Sequence, residues 1–135
     1  VYYYSILIHQ TMIRITSRNI HATFTPKSKV LYALNYKYVP DVLNRRNEPW
    51  NPQEKGGMLI RDAHIEFLEP FQKAGSVMLG GAFNPPDAGA LMVLNMASEE
   101  EVNNFAKNDP YVLSGVVEEW EVKPWTVMVN SLSKE

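Results

Sequence analysis

A histidine and an aspartate do proton-transfer chemistry when a fold brings them together, and this sequence offers one such pair. His64 stands in RDAHIEFL and Asp109 in FAKNDPYVLSG. His64 shares a helical spacing with Ile60, Phe67, Leu68 and Phe71, while Asp62, Glu66, Glu69 and Lys73 take the other face. Asp109 closes the i, i+3, i+4, i+7 series of Val102, Phe105 and Ala106. Each is a polar intruder on an apolar face. A neutral imidazole exchanges protons near neutral pH, and a partner carboxylate fixes its tautomer and stabilises the imidazolium that forms.

Each residue alone has a plainer account. His64 reads equally as a core histidine satisfied by a carbonyl, and Asp109 as a polar helix end before Pro110. Together they weigh differently, because an unpaired buried charge costs several kcal/mol. Arg61, one turn before His64, either binds an anion or is a solvated charge. Tyr111, Tyr36 and Trp125 are candidates for substrate contact or a pocket wall, against the alternative of ordinary aromatic packing.

The elements that must position these residues follow from pattern. KVLYALNYKY, residues 29–38, predicts a first strand, and the Pro- and Gly-rich run from Pro40 to Gly57 predicts a loop. A helix is predicted over Met58 to Ala74, with a kink or early end at Pro70 and a stop at Gly75. SVMLGGAF and ALMVLNMA predict two strands joined by NPPDAG, with Gly80-Gly81 allowing a close backbone approach or a bulge. Ser98-Glu99-Glu100-Glu101 is a capping box that opens a second helix. VVEEWEVKPWTVMV predicts a fourth strand, broken or kept at an edge by Pro124.

Strand, helix, strand, strand, helix, strand is the ferredoxin-like βαββαβ order, an α+β fold with an antiparallel sheet and both helices on one face. The two middle strands are apolar almost continuously, so both their faces should be covered. Helices cover one face, and a second subunit is the simplest cover for the other. The expectation is a homodimer.

RDAHIEFL, GGAF, the acid-capped helix SEEEVNNFAKNDPY and KPW, taken together, resemble the YciI-like (YCII-related) family of small dimeric α+β barrel proteins. The most specific pieces are R-x-x-H at Arg61 to His64 and Asp-Pro-Tyr at Asp109 to Tyr111. The loop before R-x-x-H departs from the family's Asp-Lys-Pro-Gly-like segment, and Pro70 is unusual within the helix. The resemblance implies a domain over residues 29–130 with His64 and Asp109 as a catalytic pair, working without a cofactor on a small-molecule substrate by proton abstraction with elimination or isomerisation. The competing expectation is a non-catalytic small-ligand or regulatory dimer that keeps the same cleft.

Composition bounds these readings. No cysteine is present, which excludes thiolate nucleophiles, thiolate metal sites and disulfides. The scattered His9, His21 and His64 offer no metal-ligand spacing, and no phosphate-binding glycine loop occurs. The first forty residues hold five of the 13 basic residues and none of the 15 acids, so the remainder carries eight against 15, a net −7. That balance argues against a nucleic-acid partner. Residues 1–28, rich in Arg, Ser and Thr, are expected to be a leader, either a mitochondrial (matrix) transit peptide or a disordered basic tail of a cytoplasmic protein. VYYYSILI is far shorter than the ~20 apolar residues that span a bilayer, so no membrane partner is expected.

Overall fold

Alternation along KVLYALNYKY places Leu34 and Tyr36 on one side of the first strand, and a computed structural model shows both of them buried there. The structure describes residues 29–132, of which Val30–Val127 make one compact unit. The expected leader lies outside the described residues. Strand β1 is Lys29–Tyr38 and is followed by a short helix α1, Val42–Arg45. Helix α2 is Ile60–Lys73, strand β2 Val77–Ala82 and strand β3 Ala90–Leu94, with one 3-10 turn at Pro86–Ala88 between the two strands. Helix α3 is Glu99–Asn108, α4 is Pro110–Leu113 and strand β4 is Val117–Val127.

The sheet order is β2-β3-β1-β4, the ferredoxin-like arrangement. In the antiparallel β1–β3 register Leu34 faces Met92 and Tyr36 faces Ala90, so these side chains share one face. Helices α2 and α3 cover that face through Ile60 and Ala63 on one side and Val102, Phe105 and Ala106 on the other. Phe67, Phe71 and Phe105 join the helices, with ring centroids 4.9 to 5.3 Å apart. Such pairs add about 0.5–1.5 kcal/mol each beyond the area they bury.

Local chemistry explains the boundaries. Helix α2 has no side-chain N-cap; its first amides bond outward to the preceding loop, Ile60 N–H to the Glu48 carbonyl and Arg61 N–H to that of Arg46. It passes through Pro70 rather than ending there. It stops at Lys73 in a Schellman motif, where Gly75 has φ 76° and the Ser76 and Gly75 amides reach the Phe71 and Gln72 carbonyls. Helix α3 starts as the capping box requires: Ser98 Oγ accepts from Glu101 N–H at 3.1 Å. The Glu101 carboxylate reaches the Ala97 amide, one residue earlier than the usual form.

One expectation needs correction. The stretch from Pro40 to Gly57 is not wholly loop: α1 forms within it and buries Val42, and Pro49 pairs with Leu59 in an isolated bridge. Val42 supplied too little apolar periodicity to reveal a single turn. Of the two alternatives expected at Pro124 the edge position holds: β4 ends the sheet order and runs unbroken through Pro124, since an edge strand tolerates a missing amide. Within one chain β2 is largely bare, with Met78 and Leu79 42% and 59% exposed. The irregularity in β2 lies between Val77 and Leu79, just before the glycines. A Cβ on Gly80 would lie 2.9 Å from Met92 Cγ, so Gly80 does serve close approach.

Candidate functional site

The stop of α3 builds the centre of the site. Pro110 disfavours helical geometry at the residue before it, and Asp109 accordingly leaves the helix with φ −68° and ψ 126°. In that conformation Asp109 caps two elements at once, as the C-cap of α3 and the N-cap of α4. Its side chain turns inward and is fully buried.

A buried carboxylate must find donors, and Asp109 has three. Tyr111 N–H donates to Oδ1 at 2.9 Å, as an N-cap bond should. Tyr36 Oη–H, brought by the alternation of β1, donates to Oδ2 at 2.8 Å. His64 Nδ1, from the second turn of α2, lies 2.7 Å from Oδ1. A carboxylate accepts, so Nδ1 carries the proton and Nε2 is the ring nitrogen left for a ligand. The Tyr111 ring stacks on the imidazole, 3.9 Å between centroids and 8° from parallel. One hydrogen bond and one stacked face hold the imidazole in place.

His64 opens onto a cavity of about 580 Å³ between α2 and the β2 side of the sheet. Its polar lining comes from Tyr36, Tyr38, Arg46, Arg61, His64, Gln72 and Tyr111, and its apolar lining from Ile65, Leu68, Met78, Leu79 and Met92 among others. Gly80 leaves the floor without a side chain above Met92. Burial, reinforced by the Asp109 charge and hydrogen bond, pushes the Tyr36 phenol far above the usual tyrosine range. Tyr38 is pushed up to about 12, mainly by burial and then by Tyr111 and Asp109. Tyr111 is also raised by burial, with Arg46 and Arg61 opposing the shift. All three phenols therefore remain donors at neutral pH.

Five of the six residues singled out from the sequence meet here. His64 and Asp109 are in direct contact, Tyr36 and Tyr111 hold the carboxylate, and Arg61 lines the cavity. Trp125 is placed elsewhere: it is half exposed on β4, at the sheet's far end from β2, and does not line this cavity. The pattern reading missed Tyr38 and Arg46. Tyr38 follows from the period of β1, but Arg46 arrives only because the loop ahead of α2 closes on itself. Among the described residues no cluster of His, Asp and Glu is placed to hold a metal ion, and no helix is long and apolar enough to cross a membrane.

The model of the YCII-related domain matches residues 30–126. The chain belongs to the YCII-related family. Among relatives of this YCII-related protein, the derivative of benzaldehyde biosynthesis cluster protein C from Emericella nidulans is 37% identical over 67 residues, 42% of this chain and 68% of that one. Among solved structures, 5-chloro-2-hydroxyhydroquinone dehydrochlorinase from Burkholderia phenoliruptrix, in complex with 2,5-dihydroxybenzoquinone, aligns with a TM-score of 0.55. The alignment covers 71% of this chain and 93% of that chain at 21% identity, a likeness of fold.

Proposed function

We propose that the protein is an acid/base enzyme in which His64 Nε2 takes a proton from carbon of a small substrate and Asp109 orients and balances the imidazole. The supporting observation is the 2.7 Å contact between His64 Nδ1 and a fully buried carboxylate at the wall of a ligand-sized cavity. In the reaction the C–H bond breaks, its proton goes to Nε2, and its electron pair moves into a carbon–carbon π bond. As it forms, the neighbouring carbon gives up either its bond to a leaving group, which departs with that bond's electron pair, or its own π bond to a further atom, whose pair the same imidazolium then protonates there. The first course is elimination and the second isomerisation. Aligned proton transfer of this kind contributes roughly 10²- to 10⁴-fold in rate. The dehydrochlorinase likeness supports a carbon–halogen or related elimination on a ring compound as the first chemistry to try.

The active unit in this reading is a homodimer. Leu79 and Phe83, 59% and 44% exposed at the β2 side, remain uncovered in one chain. Sedimentation at micromolar concentration checks this, and a monomer there rejects it.

The test of the chemistry is a screen of small ring compounds with acidic C–H bonds, followed by solvent deuterium exchange and product formation, using the wild type, His64→Ala and Asp109→Asn. The reading expects activity in the wild type and a loss of roughly 10²-fold or more in His64→Ala. Equal activity in all three proteins rejects both assignments, and a ligand bound without exchange or turnover favours a non-catalytic binding protein.

A further inference from the structure

The charges around the cavity are one-sided. From Asp41 onward the chain is acidic, with eight basic residues against 15 acidic ones, yet no Asp or Glu lines the cavity while Arg46 and Arg61 both do. Neither guanidinium is ion-paired among the described residues. Arg46 Nε is buried without any hydrogen-bond partner. A buried unpaired donor on a charged group is costly in a folded protein and marks a place where a ligand completes the set.

The backbone brings the two arginines together. They are separated by a long excursion whose base is closed by Trp50 N–H on the Met58 carbonyl, Ile60 N–H on that of Glu48 and Arg61 N–H on that of Arg46, at 2.8 to 3.0 Å. Position 46 is thereby tied to the first turn of α2, and His64 stands one turn further along the same helix. The neighbouring Arg45 is spent differently: it holds the Ser114 carbonyl at 2.9 Å and pairs with Glu48. Only the second of the tandem arginines lines the cavity.

We infer that Arg46 and Arg61 form an oxyanion-binding subsite, so that the ligand of this cavity is a small organic anion bearing a carboxylate or enolate oxygen. The guanidinium fork matches such oxygens, whereas the apolar lining from Ile65, Leu68 and Met92 asks for a hydrocarbon body and disfavours a bare inorganic ion. The inference deepens the proposed function by naming the substrate class, and it rests on that reading for the neighbouring His64 being the reacting group. It also gives the excursion between the arginines a purpose, since loops of this length in compact domains usually serve a site.

Binding separates this inference from the catalytic one. Benzoate is titrated into the full-length protein against its neutral counterpart benzamide, by calorimetry and by following the arginine Nε–H signals in nitrogen-15 NMR. Saturable benzoate binding is expected, with benzamide and the Arg46→Gln and Arg61→Gln variants each weaker by about 10- to 100-fold. In the wild type the Arg46 Nε–H signal should shift on saturation, a readout that needs no variant to fold. Turnover is scored separately from binding, so unchanged turnover in His64→Ala rejects the catalytic reading and unchanged benzoate affinity in the arginine variants rejects this one, and the two failures are distinguishable. Equal affinity for benzoate and benzamide, an unmoved Arg46 signal at saturation, or no benzoate binding below about 10 mM overturns the inference.

Discussion

Replacing Asp109 by alanine and by asparagine separates the two things this side chain does. Alanine removes the acceptor from three donors at once: Tyr111 N–H at 2.9 Å, Tyr36 Oη–H at 2.8 Å and His64 Nδ1–H at 2.7 Å. A buried donor left without a partner costs about 1–3 kcal/mol. Tyr36 and His64 border the cavity and recover part of this from water, while the amide of Tyr111 recovers least. The expected net loss for Asp109→Ala is therefore about 3–5 kcal/mol, of the size found when one partner of a buried pair is removed. Asparagine is nearly isosteric and a good N-cap, so its carbonyl oxygen keeps Tyr111 and His64 while its amide donates to a rotated Tyr36 hydroxyl. Its expected cost is about 1 kcal/mol, the usual net worth of one hydrogen bond. Urea unfolding followed by circular dichroism measures both, with a common slope confirming that the unfolding step is unchanged. Alanine losing less than about 1 kcal/mol would refute the three-donor account, and asparagine losing as much as alanine would show that charge, not hydrogen bonding, holds the region together.

Three further outcomes follow from the same geometry. Tyr38, pushed up to about 12 in the folded chain against about 10 unfolded, contributes stability fully below pH 10. That contribution fades as pH rises from 10 to 12, with Tyr36 acting in the same direction; tyrosinate absorbance should lag in the native protein and jump at alkaline unfolding. Gly89 has φ 112° and its missing Cβ would collide with the Tyr36 carbonyl, so Gly89→Ala should cost more than about 1 kcal/mol and weaken the Tyr36 support of Asp109, measurable as a lowered Tm. Ser98→Ala, distant from the cavity, should cost about 1 kcal/mol by loss of the α3 cap while leaving benzoate affinity unchanged, which a thermal melt and one titration check.

Most of this fold was legible because its elements carry strong local signals. The α3 start is written in Ser98 and Glu101, its end in Pro110, and the α2 end in Gly75. The inward direction of Asp109 also followed from counting back to Val102 and Phe105. What stayed hidden depended on closure between distant segments. Nothing local says that Arg46 meets the first turn of α2, because the contact is one backbone hydrogen bond across a loop that lacks periodicity. Helix α1 was hidden for a related reason, since its four residues bury only Val42. Tyr36 was placed at the cavity by its strand, but its bond to Asp109 joins residues 73 apart in sequence. Trp125 failed as a cavity residue because aromatic character at a strand end does not say which side of the sheet, or which end of the strand order, it occupies.

The arrangement of charge gives the proposed proton transfer a direction. Behind the imidazole lies a carboxylate that three hydrogen bonds hold in place, so it favours positive charge appearing on the ring without having to move. In front lie two guanidiniums with no carboxylate among the cavity lining, so they favour negative charge appearing on the substrate. Moving a proton from substrate carbon to Nε2 creates both charges in one step. Each is thus stabilised more after the transfer than before it, which is the differential binding that catalysis requires. The same logic sets the order of severity among variants: removing the arginines weakens the ground state, through the substrate's resting charge, as well as the transition state, whereas removing Asp109 leaves the resting substrate nearly untouched. Arg46→Gln should therefore raise KM together with any loss in kcat, and Asp109→Asn should lower kcat with little change in KM. The reverse pattern in steady-state kinetics would mean that the carboxylate binds substrate and the arginines serve only the fold.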